Sequence, residues 1–175
     1  RAFHLQHQDW LFGYLSYDLK NEVEQLNSKN HDGIRAASLS FFIPKYVLFL
    51  KGNELVIDTY ETKENCEQFL TKIALDREEQ TSSITLQQRE SKDVYLHKIA
   101  QIKQHIQRGD IYEMNYCQEF FAREISLNPA VIFQKLNKNT TTPFSAFLKL
   151  NHIYAMCASP ERFIRKLGNQ LISQP

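Results

Sequence analysis

The chain has 175 residues, with 21 Lys and Arg against 20 Asp and Glu and a formal net charge of +1. That length suits one ordinary domain with a sizeable core. The charge balance gives no electrostatic ground for expecting nucleic acid or a membrane surface as partner. Cys66, Cys117 and Cys157 are far apart and odd in number, which speaks against a disulfide framework and fits a reducing, cytoplasmic setting. No apolar run approaches the roughly 20 residues of a membrane span. The opening "RAFHLQHQDW" lacks the apolar centre of a signal peptide, and a first residue of Arg suggests a start inside a longer product.

The aromatic alternation of "DWLFGYLSYD", with Trp10, Phe12 and Tyr14 on one face, predicts a strand. "LKNEVEQL" spaces Leu19, Val23 and Leu26 as a helix does, before a polar break at Asn30 to Gly33. "YVLFLKGNELVIDTY" predicts a hairpin across Gly52-Asn53. "TKENCEQFLTKIAL" places Cys66, Phe69, Leu70 and Ile73 on one helical face, with Thr62 as N-cap. "REEQTSSITLQQRESKD" reads as a wet loop, including Arg77-Glu78-Glu79, with one short strand.

"DVYLHKIAQIKQHIQRG" is the clearest helix, with an apolar stripe of Leu96, Ile99, Ile102 and Ile106, Asp93 as cap and Gly109 as terminator. "DIYEMNYCQEFFAREI" predicts a long strand whose alternation sets Glu113, Asn115 and Cys117 opposite Tyr112, Met114 and Tyr116. Asn128-Pro129 starts a further helix with Ile132, Phe133 and Leu136 on one face. Strands "SAFLKL", "HIYAMCAS" and a Gly168-Asn169 hairpin finish the chain. Two three-stranded groups with helices between them imply an α+β domain of antiparallel sheets, undivided by any flexible linker. The five glycines are dispersed, so no phosphate-cradling loop is present.

Several candidates for chemistry have ordinary explanations. His4 and His7 lack a third ligand at useful spacing. Cys117 and Cys157 fit small core positions on strands, and His97 and His105 flank the apolar stripe as solvated residues. Glu113 is set among aromatic and apolar neighbours, so it is either an exposed strand edge or a carboxylate with a dedicated partner. Glu161 likewise admits two readings. Ser159 as cap, Pro160 at the first helical position and Glu161 in the first turn would start a short helical turn, or Glu161 is the acid of an active site.

Taken together, "IKQHIQRGDIYEMNYCQEFFA", "TTPFSAFLKL" and "CASPERFIRKLGNQLISQP" resemble the chorismate-utilising enzymes, as do "GYLSYDLKNEVEQL" and "FFIPKYVLFLKGNELVI". The resemblance covers nearly the whole chain. It implies part of a layered α/β/β/α chorismate-binding fold with two orthogonally packed, mainly antiparallel sheets. The family carboxylate in Ser-Pro-Glu acts as general acid on the hydroxyl leaving C4 of chorismate, and the match puts that role on Glu161. Expelling hydroxide near neutral pH needs such a positioned proton donor. The position of Glu113 is usually Gln, or a Lys base where water is the nucleophile. Glu113 therefore argues against the water-adding branch, and Glu113 with Asn115 becomes a candidate substrate contact.

Pro143, Phe144 and Ser145 match a segment lining a tryptophan pocket in related enzymes. "PFSAF" is more similar to aminodeoxychorismate synthases than to anthranilate synthases, where Asn-Pro-Ser-Pro-Tyr is usual and Thr140 to Thr142 stand here instead. The resemblance implies chorismate as substrate, a glutamine amidotransferase partner supplying ammonia, and Mg²⁺ bound by carboxylates of later motifs. It also implies that Pro175 would open a Pro-Ile-Lys-Gly-Thr or Pro-Ile-Ala-Gly-Thr block. The 175 residues then form the incomplete amino-terminal portion of one chorismate-binding domain. The rival within the fold is anthranilate synthase, and the rival of another class is a binding domain without catalysis.

Overall fold

The computed structural model describes residues 2–73 and 83–174. These form two compact units, one of residues 2–73 and 133–174, the other of residues 83–132.

In the first unit the opening residues form a short helix, α1 (Ala2–His7). Strand β1 (Phe12–Leu15) realises the aromatic alternation, and Trp10 ahead of it packs on Phe12 and Phe49 at 6.4 and 5.6 Å between ring centroids. The Trp10 indole N–H donates to Asp58 Oδ2 at 3.1 Å. The predicted helix after β1 is shorter than its spacing suggests: a 3₁₀ turn (Tyr17–Leu19) runs into α2 (Lys20–Val23) and stops, leaving Leu26 exposed. Three apolar residues at helical spacing cannot hold a helix that has no surface to bury them against.

Strand β2 (Leu39–Phe42) pairs antiparallel with β1, Gly13 lying opposite Phe41. β3 (Tyr46–Lys51) and β4 (Glu54–Thr59) are the predicted hairpin. Gly52 alone supplies the left-handed φ, at 61°, so Asn53 follows it in ordinary backbone. Helix α3 (Lys63–Lys72) is capped by Thr62, which accepts from the Asn65 N–H. Its Phe69 ring stacks on Tyr46 of β3 at 4.2 Å. The Glu61 carboxylate ties helix to hairpin, taking the Lys45 ammonium at 2.7 Å and the Asn65 amide at 2.6 Å.

In the second unit β5 (Gln87–Gln88) is the short strand expected within the polar stretch, and Arg77 to Glu79 lie outside the described residues. Helix α4 (Lys92–Arg108) ends as predicted at Gly109, φ 81°, but begins differently. Ser91, not Asp93, is its cap, accepting from the Val94 N–H, and Asp93 falls inside the first turn, where its charge still complements the helix dipole. The stripe is also rotated: Tyr95, Lys98, Ile99 and Ile102 are its half-buried residues, while Leu96 and Ile106 are exposed.

The long strand expected from Asp110 onward reduces to β6 (Phe120–Phe121), paired with β5. Residues 111–119 are irregular. Alternation specifies faces, but a strand also needs a neighbour to complete its hydrogen bonds, and β5 offers only two residues.

Helix α5 (Pro129–Thr140) starts at Pro129, with Asn128 Oδ1 accepting from the N–H groups of Ala130 and Val131. The closing strands belong to the first unit: β7 (Phe144–Leu150) pairs with β8 (Ile153–Ser159), and β9 (Arg162–Leu167) with β10 (Gln170–Gln174).

The α+β character expected from the sequence is therefore observed. The described strands form five antiparallel pairs, rather than the expected two three-stranded groups. Among the described apolar residues only Val47 and Val131 are buried, at 8% and 2% exposure. No described helix is long and apolar enough to cross a membrane.

Two carboxylates predict the acid limb of stability. Lys45 first, and Asn65 second, hold the Glu61 carboxyl below its ordinary 4.5; Lys98 first, and the Tyr116 hydroxyl second, do the same for Glu90. A depressed carboxylate favours the folded state above its unfolded value, and that contribution disappears as pH falls through the folded value. Thermal unfolding followed from neutral to acidic pH should show a midpoint that begins to fall near 4.5 and keeps falling below it. Glu61→Gln should reduce that pH dependence; an unaltered acid limb in this variant would contradict the assignment.

Candidate active site

The two sequence motifs placed in the first unit come together through one strand pair. In the β7–β8 ladder Phe144 stands directly opposite Ser159, and Ser145 opposite Ala158. "PFSAF" (Pro143 to Phe147) and "SPERF" (Ser159 to Phe163) are thus neighbours although residues 148–158 separate them along the chain, and the Cys157 thiol just ahead of the second motif donates to the Phe144 carbonyl at 3.7 Å. Pro143 precedes β7, and Ser145 is half-buried with its hydroxyl 2.9 Å from that of Thr142.

Glu161 is in the two-residue link between β8 and β9, not in the short helical turn that Ser-Pro-Glu alone would permit. Ser159 is committed to the ladder opposite Phe144, and the chain runs on into β9, so no helix follows it. Its hydroxyl acts locally instead, accepting from the Glu161 N–H at 3.3 Å and donating to the Glu161 carbonyl at 3.0 Å. On the other side Arg162 lays its guanidinium over the Phe144 ring, 4.7 Å from the centroid, and its Nε donates to Gln174 at 3.1 Å.

Both neighbours of Pro160-Glu161 are therefore fixed on Phe144, one through the backbone ladder and one through a cation–π contact. The Glu161 side chain is exposed and has no hydrogen-bond or ion-pair partner among the described residues. This gives a carboxylate on a rigid base, open to solvent.

The same unit contains an apolar groove of about 460 Å³ between the β1–β2 and β7–β8 pairs, lined by Phe12, Gly13, Phe42, Phe147, Met156 and Cys157. Cys157 is exposed on β8 and Cys117 is exposed on irregular backbone, so neither is the small core residue the sequence suggested. Cys117 lost its expected burial with the strand that was to carry it.

Glu113 and Asn115 belong to the second unit, both exposed on the irregular segment, so they do not share a strand face. Among the described residues no group of three His, Cys, Asp or Glu is arranged to hold a metal ion. His4 and His7 lie on α1 without a third ligand among them. His97 and His105 are exposed, as expected. Sequence reasoning placed the Ser159 hydroxyl beside Glu161 as a cap, and that hydrogen bond is present, but it missed the Arg162 guanidinium. Arg162 was adjacent in the motif, but nothing local pointed it at Phe144.

The sequence matches the family described as chorismate binding enzyme across residues 1–175. The chain belongs to that chorismate-binding family. It is 27% identical to an anthranilate synthase component I-like protein of Synechocystis sp., a match covering 97% of this chain and 36% of the relative. It is 33% identical to aminodeoxychorismate synthase component 1 of Klebsiella aerogenes over 49% of this chain and 19% of the relative. With the Bacillus subtilis protein of that name it shares 22% identity over 96% of this chain and 39% of the relative. The chain thus spans well under half the length of the curated relatives it matches.

Proposed function

We propose that this chain is part of component I of an aminodeoxychorismate synthase, which replaces the C4 hydroxyl of chorismate with an amino group on the route to 4-aminobenzoate and folate. The observation carrying this reading is the rigid link that presents Glu161 beside the "PFSAF" strand. The similarity to proteins named aminodeoxychorismate synthase component 1 supports the branch.

In this reading Glu161 gives its proton to the C4 oxygen as the C–O bond breaks, so that the leaving group departs as water. Ammonia from a glutamine amidotransferase partner then supplies the nitrogen. Proton donation in the transition state contributes on the order of 100- to 10,000-fold in rate. Ser159 and Arg162 restrict the donor to one position, which reduces the entropy lost in reaching the reactive geometry. Mg²⁺ would be held by carboxylates of later motifs. Glu113 and Asn115 would contact the substrate from the segment at 111–119, and Pro143, Phe144 and Ser145 would form one wall of a pocket for tryptophan.

The Synechocystis relative, named for anthranilate synthase, favours a second reading in which nitrogen enters at C2 and pyruvate is lost. Incubating the complete enzyme with chorismate, Mg²⁺ and ammonium separates the two. The first reading expects a product retaining the enolpyruvyl group; the second expects fluorescent anthranilate and free pyruvate. Absence of any product, with chorismate leaving the thermal midpoint unchanged, would mean a non-catalytic domain.

A further inference from the structure

The irregular segment of the second unit is clamped at both ends, by side chains of α4 and by Glu90 just ahead of that helix. At its start, Asp110 accepts from Arg108 at 2.8 Å and lies 2.7 Å from His105 Nδ1, both residues in the last turn of α4. At its far end, the Tyr116 hydroxyl donates to Glu90 Oε2 at 2.5 Å, and the Lys98 ammonium pairs with the other Glu90 oxygen. The Tyr116 ring also packs on Tyr95 at 5.7 Å between centroids, with the Lys98 ammonium 5.7 Å above it.

Beyond Tyr116 the chain is tied down again. The Gln118 amide donates to the Glu90 carbonyl at 2.9 Å, and Arg89 forms paired bonds to Glu119 at 2.8 and 2.9 Å.

Lys98 and His105 are two turns apart on α4, about 10 Å along the axis. The chain from Asp110 to Tyr116 could reach roughly 20 Å if extended. The strap therefore has slack, and it bows outward: Tyr112 is 92% exposed, and Glu113, Met114 and Asn115 are exposed after it. Slack of that kind would leave Glu113 and Asn115 poorly placed unless the ends were fixed.

We propose that Glu90 is a positioning residue of the substrate site, acting through Tyr116 to fix the strap that carries Glu113 and Asn115. The inference rests on the reading that those two residues meet chorismate. Glu90 never touches the substrate; Lys98 neutralises it and restricts it to the orientation that receives the Tyr116 hydroxyl. Each holds the other charged: the Lys98 ammonium keeps the Glu90 carboxyl below its ordinary 4.5, and Glu90 keeps the Lys98 ammonium above its ordinary 10.5, so both remain charged across the neutral range. The sequence gives little sign of this arrangement, since Glu90, Lys98 and Tyr116 share no short-range spacing that would mark a pair.

The test uses the complete enzyme and reads both kinetics and amide hydrogen exchange. Tyr116→Phe deletes one hydroxyl. It should raise KM for chorismate about tenfold while kcat changes less than about threefold, the signature of lost ground-state placement. Exchange at residues 112–115 should quicken about tenfold with α4 unaffected, a loosening confined to the strap. Glu90→Leu should reproduce both effects. Glu90→Gln, whose amide oxygen still accepts from Tyr116, should recover most of the loss. A purely structural role would change the thermal midpoint without this division.

Glu113→Ala distinguishes the ways of failing. If it shifts KM while Tyr116→Phe leaves exchange and KM unchanged, the positioning role alone is overturned. If Glu113→Ala leaves KM unchanged although Tyr116→Phe loosens the strap, the substrate reading fails and the positioning role fails with it.

Discussion

In the complete enzyme Glu161→Gln is expected to lower kcat for chorismate amination by about 100- to 10,000-fold, the contribution of a lost proton donor. The thermal midpoint should not move, because the Glu161 side chain is exposed and bonded to nothing described; its backbone N–H and carbonyl, which Ser159 holds, are unaltered by the substitution. Glutamine preserves size and hydrogen-bonding reach but cannot release a proton near neutral pH. Steady-state rates with saturating chorismate and ammonium, beside a melting curve, make the comparison. Turnover within threefold of wild type would remove Glu161 from the mechanism. A large loss of both rate and midpoint would instead mean that the carboxylate supports the fold.

The second large effect concerns stability. Gly13→Ala is expected to cost about 3 kcal/mol, at the upper end for forcing atoms into an occupied site. An added Cβ at Gly13 would stand 2.0 Å from the Ser40 carbonyl oxygen and 2.8 Å from the Phe41 Cα, both backbone atoms of the paired strand. No rotamer change relieves such a clash, so β1 and β2 must separate locally. For a chain of this size the midpoint should fall by roughly 6–12 °C. Gly33→Ala serves as the control, since its Cβ would meet only the His31 ring at 3.4 Å. Equal melting of the two variants would show that β1–β2 pairing is not required for the fold.

The features most legible in the sequence were those decided within a few residues. Gly52 and Gly168 turn their hairpins, Thr62 and Asn128 cap their helices, and Gly109 ends α4, because each depends on the φ or the hydrogen-bonding reach of a single residue. Ser91 and Asp93 show the limit of that rule: both residue types cap well, and the choice fell on the one that leaves helical backbone first.

The failures came where a distant partner decides. Residues 110–119 have a strand's alternation but almost no strand beside them. Ser-Pro-Glu can start a helix, yet Ser159 is held in a ladder by a residue 15 positions earlier, Phe144. The candidate acid was legible only through family resemblance, since its residue types alone fit a turn equally well. The Arg162 contact with Phe144, and the clamp at Glu90, depend on partners that local sequence does not encode.

The last four strands also limit how this sequence can vary through evolution. Asn151-His152, Pro160-Glu161 and Gly168-Asn169 are the whole connections among them, two residues each. Strand faces alternate with a period of two, so one added codon within a strand would turn every later side chain of that strand to the opposite face. An added codon in the middle link would have the further effect of separating Glu161 from either the Ser159 hydroxyl or the Arg162 guanidinium. Insertions and deletions beside Glu161 should therefore be strongly selected against.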